Sequence, residues 1–77
     1  MKENEYYTMI MKQYGIPEYC NIDLGKEDNS FLFKSEKQAY KCLELCFNDG
    51  SWFNDEKYGK VRYYVEKIQY NYICIEA

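Results

Sequence analysis

Apolar side chains recur along the chain with two different spacings, and these spacings predict its secondary structure. In residues 3–14 the clearest apolar positions are four residues apart, at Tyr6, Ile10 and Tyr14. This spacing predicts a helix, and Gly15 followed by Pro17 fits a helix end. A strand over residues 6–11 is the alternative, because tyrosine, threonine and isoleucine are good strand formers.

A strand pattern follows. Residues 18–24 alternate, with Cys20, Ile22 and Leu24 on one face, which predicts a half-buried strand. Residues 25–30 form a polar turn. The apolar run at residues 31–33 predicts a second strand, and we expect the two strands to form a hairpin.

The strongest helix signal begins at Ser35. Ser35 and Gln38 form a capping-box pattern, in which the serine hydroxyl caps the first turn. Apolar residues then form one helical stripe: Ala39, Cys42, Leu43, Cys46 and Phe47. Residues 48–50 end the helix, with Gly50 available as its C-cap.

The rest of the chain is strand-like. Trp52 and Phe53 start an extended segment, residues 54–59 form a turn, and alternation resumes at residue 60. The apolar parity changes near residues 66–67, because Val61, Tyr63 and Val65 share one face whereas Ile68, Tyr70, Tyr72 and Cys74 share the other. A strand with one buried face changes parity only through an extra residue or a reversal, so we expect a β-bulge there, with a tight hairpin as the alternative.

This order of elements predicts one small domain over residues 1–77. We expect a two-layer α+β fold, with an antiparallel sheet of three to five strands and one or two helices packed on one face.

Composition narrows the function. The chain has no histidine, one arginine (Arg62) and a net charge of −3 with a pI near 4.9. Histidine-based catalysis is therefore excluded, and ordinary nucleic-acid binding is disfavoured. No glycine-rich phosphate loop is present, so we expect neither enzymatic activity nor a cofactor. The N-terminal residues lack a signal-peptide pattern and no apolar run is long enough to span a membrane, so we expect a cytoplasmic protein.

The four cysteines suggest packing rather than chemistry. Cys20, Cys42, Cys46 and Cys74 fall on faces that are expected to be buried, where free thiols act as small hydrophobic groups. A four-thiolate zinc site and a disulfide are the alternatives, but the paired C-x-x-C spacing of a zinc ribbon is missing.

The acidic residues point to no defined site. An EF-hand frame fails, because placing Gly50 at its sixth position puts Leu45 and Phe47 at ligand positions. Partial mimicry of a phosphate backbone by Asp49, Asp55 and Glu56 is an alternative, but interleaved lysines weaken the field.

Tyrosine is the informative excess. Ten tyrosines are more than so small a core can absorb, and exposed tyrosine and tryptophan are typical of protein interfaces. High strand propensity is the alternative explanation for this abundance. The predicted contact residues are Trp52, Phe53, Asp55, Glu56, Tyr58, Tyr63 and Tyr64. Base stacking on a sheet is a weaker hypothesis, supported by the basic residues Lys57, Lys60, Arg62 and Lys67.

In its layout, the segment FLFKSEKQAYKCLELCFNDGSWFNDEKYGKVRYYVEKIQ, from Phe31 to Gln69, resembles the strand–helix–strand unit of small phage and mobile-element proteins. Among these it resembles anti-CRISPR proteins, which are short, soluble α+β domains that are often acidic. The resemblance carries no functional residue. It implies an inhibitor that occupies a surface of a bacterial defence complex.

The resulting hypothesis is a non-enzymatic inhibitor that sterically blocks a nuclease or CRISPR effector in the cytoplasm of a bacterial host. A small nucleic-acid-binding or regulatory module is the alternative. The chain is expected to be a monomer or a homodimer, since the sequence at residues 72–75 fits an exposed strand edge that pairs with a second copy.

Overall fold

The computed structural model describes residues 5–69. It contains five strands, β1 (Glu5–Gln13), β2 (Ile22–Asp23), β3 (Leu32–Phe33), β4 (Phe53–Asp55) and β5 (Gly59–Gln69). The helices are α1 (Leu24–Asp28) and α2 (Glu36–Cys46), and two short 3-10 turns lie at Glu18–Cys20 and Asn48–Gly50.

Two long strands form the centre of the sheet. β1 and β5 pair in antiparallel fashion over their shared length, from Glu5 opposite Gln69 to Gln13 opposite Val61. The strand order is β2-β1-β5-β4, and β3 pairs with β1 beyond the end of β2. All of these pairings are antiparallel, which confirms the predicted α+β fold.

Helix α2 covers one face of this sheet, as its apolar stripe predicts. The Ser35 hydroxyl accepts a hydrogen bond from the backbone N–H of Gln38 at 3.3 Å, so the predicted cap is confirmed. Ala39 and Leu43 are buried on the inner side of the helix. The buried core cluster beneath it consists of Met9, Met11, Leu43, Val61 and Tyr63.

The predicted helix over residues 3–14 is wrong within the described residues, and the alternative strand is correct. β1 has four consecutive buried residues, Thr8 to Met11, which means that both of its faces are covered. A strand covered on both sides loses the alternation that identifies it in a sequence. The helical spacing of its apolar residues was therefore fortuitous, and Gly15, with φ of +81°, follows a strand rather than a helix.

The predicted hairpin between residues 18–24 and 31–33 is also wrong. β2 and β3 both pair with β1 and not with each other, with Ile22 opposite Met11 and Leu32 opposite Thr8. Asp23 caps helix α1, which extends into the predicted turn, because its carboxylate accepts the backbone N–H groups of Gly25 and Lys26 at 3.0 and 3.2 Å. The predicted strand is thus reduced to two residues.

The predicted bulge at residues 66–67 is absent from the described sheet. The register between β1 and β5 is continuous through Glu66 and Lys67. Ile68 therefore lies on the face opposite to Val65, across from Tyr6. The parity change reflects a sheet with apolar residues on both faces, not a break in the strand.

Candidate functional site

The seven predicted contact residues do not form one surface. Tyr63 belongs to the core, with 8% of its surface exposed, and Phe53 stacks on it with ring centroids 5.8 Å apart. Trp52 and Tyr64 lie on the opposite face of the sheet, because successive residues of a strand point to opposite sides. Parity thus divides the set, and Tyr63 cannot serve as an exposed contact.

Of the predicted acidic cluster Asp49, Asp55 and Glu56, Asp55 has a structural role. The Asp55 carboxylate accepts the backbone N–H groups of Lys57 and Tyr58, at 2.8 and 2.9 Å, and so shapes the turn between β4 and β5. Gly59 completes this turn with φ of +78°, a conformation that favours glycine. Glu56 and Asp49 are exposed, but Asp55 is committed to the turn.

A different group of residues comes together on the sheet face opposite to α2. The backbone N–H of Tyr14 donates to the carbonyl of Lys60, which places these two side chains side by side. The next row contains Lys12 opposite Arg62, with Trp52 just before β4 on the far side. We call the five residues Tyr14, Trp52, Lys60, Arg62 and Tyr64 the cation–aromatic patch.

Each cation of the patch lies over an aromatic ring. The Lys60 ammonium is 4.8 Å from the centre of the Tyr14 ring. The Arg62 guanidinium is 6.0 Å from the Trp52 ring centre and 5.7 Å from that of Tyr64. Tyr14 and Trp52 meet edge to face at 5.6 Å, so the patch is a continuous array of rings and positive charges.

Two hydrogen bonds and an ion pair connect this face to the neighbouring segments of the chain. Arg62 Nε donates to the carbonyl oxygen of Gly50 at 3.1 Å. The Asn21 side chain donates to the Tyr64 hydroxyl at 2.9 Å, and Lys12 forms an ion pair with Glu18 at 3.6 Å. The segment between β1 and β2 therefore crosses part of this face.

The patch is nonetheless accessible. Tyr14 is 66% exposed and Trp52 is 38% exposed, although both are large and aromatic. Surfaces of this kind, in which exposed rings lie beside cations, have the composition of binding hot spots. The arrangement suits recognition by contact.

The predicted burial of the cysteines is correct only in part. Cys42 is half-buried beside the core, whereas Cys20 and Cys46 are exposed, and these three are free thiols. Burial raises the pKa of the Cys42 thiol above its usual value, and the neighbouring Cys46 adds to the rise. Cys20 is exposed because its 3-10 turn has no buried residue. Cys74 lies outside the described residues.

No metal site is formed in the part of the chain that the structure describes. Within residues 5–69, no group of three or more cysteine or acidic side chains is placed to hold a metal ion. The proposed edge for pairing with a second copy, residues 72–75, lies outside this range, as do Tyr70 and Tyr72.

The sequence-based prediction missed Tyr14 and Lys12 as members of this face. Both fall in the segment that was predicted to be a helix, so their pairing with β5 was hidden. Lys60 and Arg62 were identified, but only as a basic group near tyrosines. Two pieces of information together identify the patch: the alternation of β5, which puts Lys60, Arg62 and Tyr64 on one face, and the register of β1, which puts Tyr14 beside them.

Comparisons with protein-family models, curated proteins and solved structures find no match to this chain. Neither helix of the described region is long and apolar enough to cross a membrane.

Proposed function

We propose that the chain is a non-enzymatic binding protein that inhibits a bacterial nuclease or CRISPR effector complex by covering part of its surface in the host cytoplasm. The observation that carries the proposal is the cation–aromatic patch. Its exposed rings have few rotatable bonds and contact neighbouring cations, so little side-chain entropy is lost when a partner covers them. The bacterial partner is suggested by the anti-CRISPR resemblance of residues 31–69.

The contact surface differs from the one expected from the sequence. Trp52 and Tyr64 are retained, and Tyr14, Lys60 and Arg62 replace the members that lie in the core or in the turn. A partial mimic of nucleic acid is a weaker proposal, because Asp55 is engaged by backbone N–H groups and Lys57 lies beside it in the turn.

A plaquing experiment tests the proposal. Bacteria with an active CRISPR effector would produce the chain and then be challenged with a phage that the effector targets. We expect production of the chain to restore plaquing, and the double variant Tyr14→Ala, Trp52→Ala to lose this effect. Truncation of a hot-spot aromatic to alanine lowers affinity by about tenfold or more.

A matched control lies on the outer face of α2. Tyr40 and Leu45 are exposed, at 48% and 70%, and lie away from the patch. The variant Tyr40→Ala, Leu45→Ala should therefore protect phage as well as the parent chain does. If the parent chain fails to restore plaquing against a panel of CRISPR types, the proposed inhibition is wrong.

A further inference from the structure

Within residues 5–69, the two cations of the patch have no acidic partner. Among residues 5–69 the ion pairs are Lys12 with Glu18 and Lys67 with Glu5, and neither includes Lys60 or Arg62. Their neighbours are aromatic rings and a backbone carbonyl. A net-negative chain therefore exposes a local positive site.

The Arg62 guanidinium has donors that make no hydrogen bond to the described residues 5–69. Its hydrogen bond within the described region uses Nε, which donates to Gly50, and its central carbon lies 6.0 Å from the Trp52 ring centre and 5.7 Å from that of Tyr64. The Nη groups are left to bind a group beyond the sheet. A planar guanidinium fixed in this way suits bidentate binding of a carboxylate.

We infer that the cation–aromatic patch binds a carboxylate-rich segment of a partner protein, through Lys60 and Arg62 with Tyr14 and Trp52 as the flanking apolar contacts. The inference rests on the proposed function and names the chemistry of the partner. Charge complementarity carries it, because the uncompensated cations lie together while the rings around them supply area for contact.

A single-stranded nucleic acid fits the patch less well. Stacking needs free ring faces, and here Lys60 lies over Tyr14 and Arg62 over Trp52. The positive site also has carboxylates at its edges. Glu18 lies beside Lys12, and Glu66 is exposed farther along β5, on the same face as Arg62. A phosphate backbone that runs across this face would be repelled by these two carboxylates. A pair of carboxylates bound only to Lys60 and Arg62 would not reach them.

The single tryptophan of the chain lies in the patch, so its fluorescence reports directly on occupancy. The protein would be titrated at low salt with oligoglutamate, with oligoglutamine as the uncharged control and oligothymidylate as the nucleic-acid probe. We expect oligoglutamate to change the emission of Trp52 and added salt to reverse the change. Oligoglutamine should have no effect.

Charge variants assign the site. The double variant Lys60→Gln, Arg62→Gln should weaken oligoglutamate binding by about tenfold or more, as expected for loss of hydrogen bonds to charged groups. The matched variant Lys37→Gln, Lys41→Gln removes the same charge from exposed positions of α2 and should bind like the parent. Lys60→Gln alone leaves the Arg62 hydrogen bond in place and tests the site if the double variant unfolds.

Three results would overturn the inference: no response to oligoglutamate, equal weakening in both double variants, or tighter binding of oligothymidylate. Self-association that is abolished by Lys60→Gln would also overturn it, because the partner would then be a second copy. The two proposals fail separately. Peptide binding without restored plaquing refutes the inhibitor function, whereas restored plaquing that depends on Trp52 but without peptide binding refutes only the carboxylate chemistry.

Discussion

Replacing Thr8 by valine should destabilise the fold far more than its small change in shape suggests. Thr8 is fully buried in β1, and its hydroxyl donates to the Asp23 carboxylate at 2.8 Å. The same hydroxyl accepts the backbone N–H of Gly25 at 3.2 Å. This one oxygen atom therefore fastens the start of α1 to the central strand.

The size of the effect follows from which partners are left unsatisfied. In Thr8→Val, Gly25 still donates to Asp23, so its N–H keeps a partner. The main loss is one hydrogen bond to a charged acceptor, which contributes about 1.5–3 kcal/mol. For a domain of this size, such a loss lowers the melting temperature by on the order of 10 °C.

Thr8→Ser is the matched control, because it keeps the hydroxyl and removes one methyl group. It should cost roughly 1 kcal/mol, the value for a buried methyl. Urea unfolding followed by Trp52 fluorescence measures both variants, since Trp52 lies away from Thr8 and its environment changes on unfolding. Equal stability of the parent and Thr8→Val, or a larger loss for Thr8→Ser, would refute the assigned role of the hydroxyl.

Three further predictions test other parts of the fold. Burial raises the pKa of Tyr63, so the folded state holds the phenolic proton more tightly than the unfolded state does. The free energy of unfolding should therefore fall as pH rises above about 10. Urea unfolding across that pH range measures this fall, which should be smaller in Tyr63→Phe. At mildly alkaline pH, exposed Cys20 should react with iodoacetamide faster than Cys42, because half-burial and a raised pKa keep the Cys42 thiol protonated. Peptide mapping by mass spectrometry measures the two rates, and faster labelling of Cys42 would contradict its placement beside the core. Gly25→Ala should destabilise the fold in the same assay, because a Cβ there would collide with Thr8 and come within 2.9 Å of Leu32. Gly15→Asn should cost less, because a Cβ there meets no neighbour and asparagine tolerates a positive φ better than most residues.

Sequence reasoning succeeded where one element carries its own signal. Helix α2 has a capping residue and one apolar stripe opposite a mostly polar outer face, so local information is enough to identify it. The parity of Val61 and Tyr63 in β5 is likewise local, and the structure buries both on the α2 face. These features do not depend on which strand lies next to them.

Sequence reasoning failed where the structure depends on distant contacts. β1 is buried on both faces, so its apolar pattern carries no strand period. The short elements between residues 18 and 33 are held by contacts such as that of Thr8 with Asp23, which are fifteen residues apart in the chain. No local propensity specifies such a contact, and the candidate site was incomplete for the same reason, because Tyr14 joins it only through the register of β1.

The adjacent residues Tyr63 and Tyr64 point to opposite faces of β5, so one supports the core and the other lies in the patch. Tyr63 packs against Phe47 at 4.3 Å and Phe53 at 5.8 Å, and its removal to alanine should cost about 3–5 kcal/mol, a large part of the stability of a small domain. A Tyr63→Ala, Tyr64→Ala double variant would therefore lose binding through unfolding, whatever surface the partner uses. Tyr64 lies on the patch side and its hydroxyl accepts a hydrogen bond from Asn21, so Tyr64→Phe removes a polar contact without removing a core ring. Tyr64→Phe can therefore distinguish a lost contact from a lost fold, whereas substitutions of Tyr63 cannot.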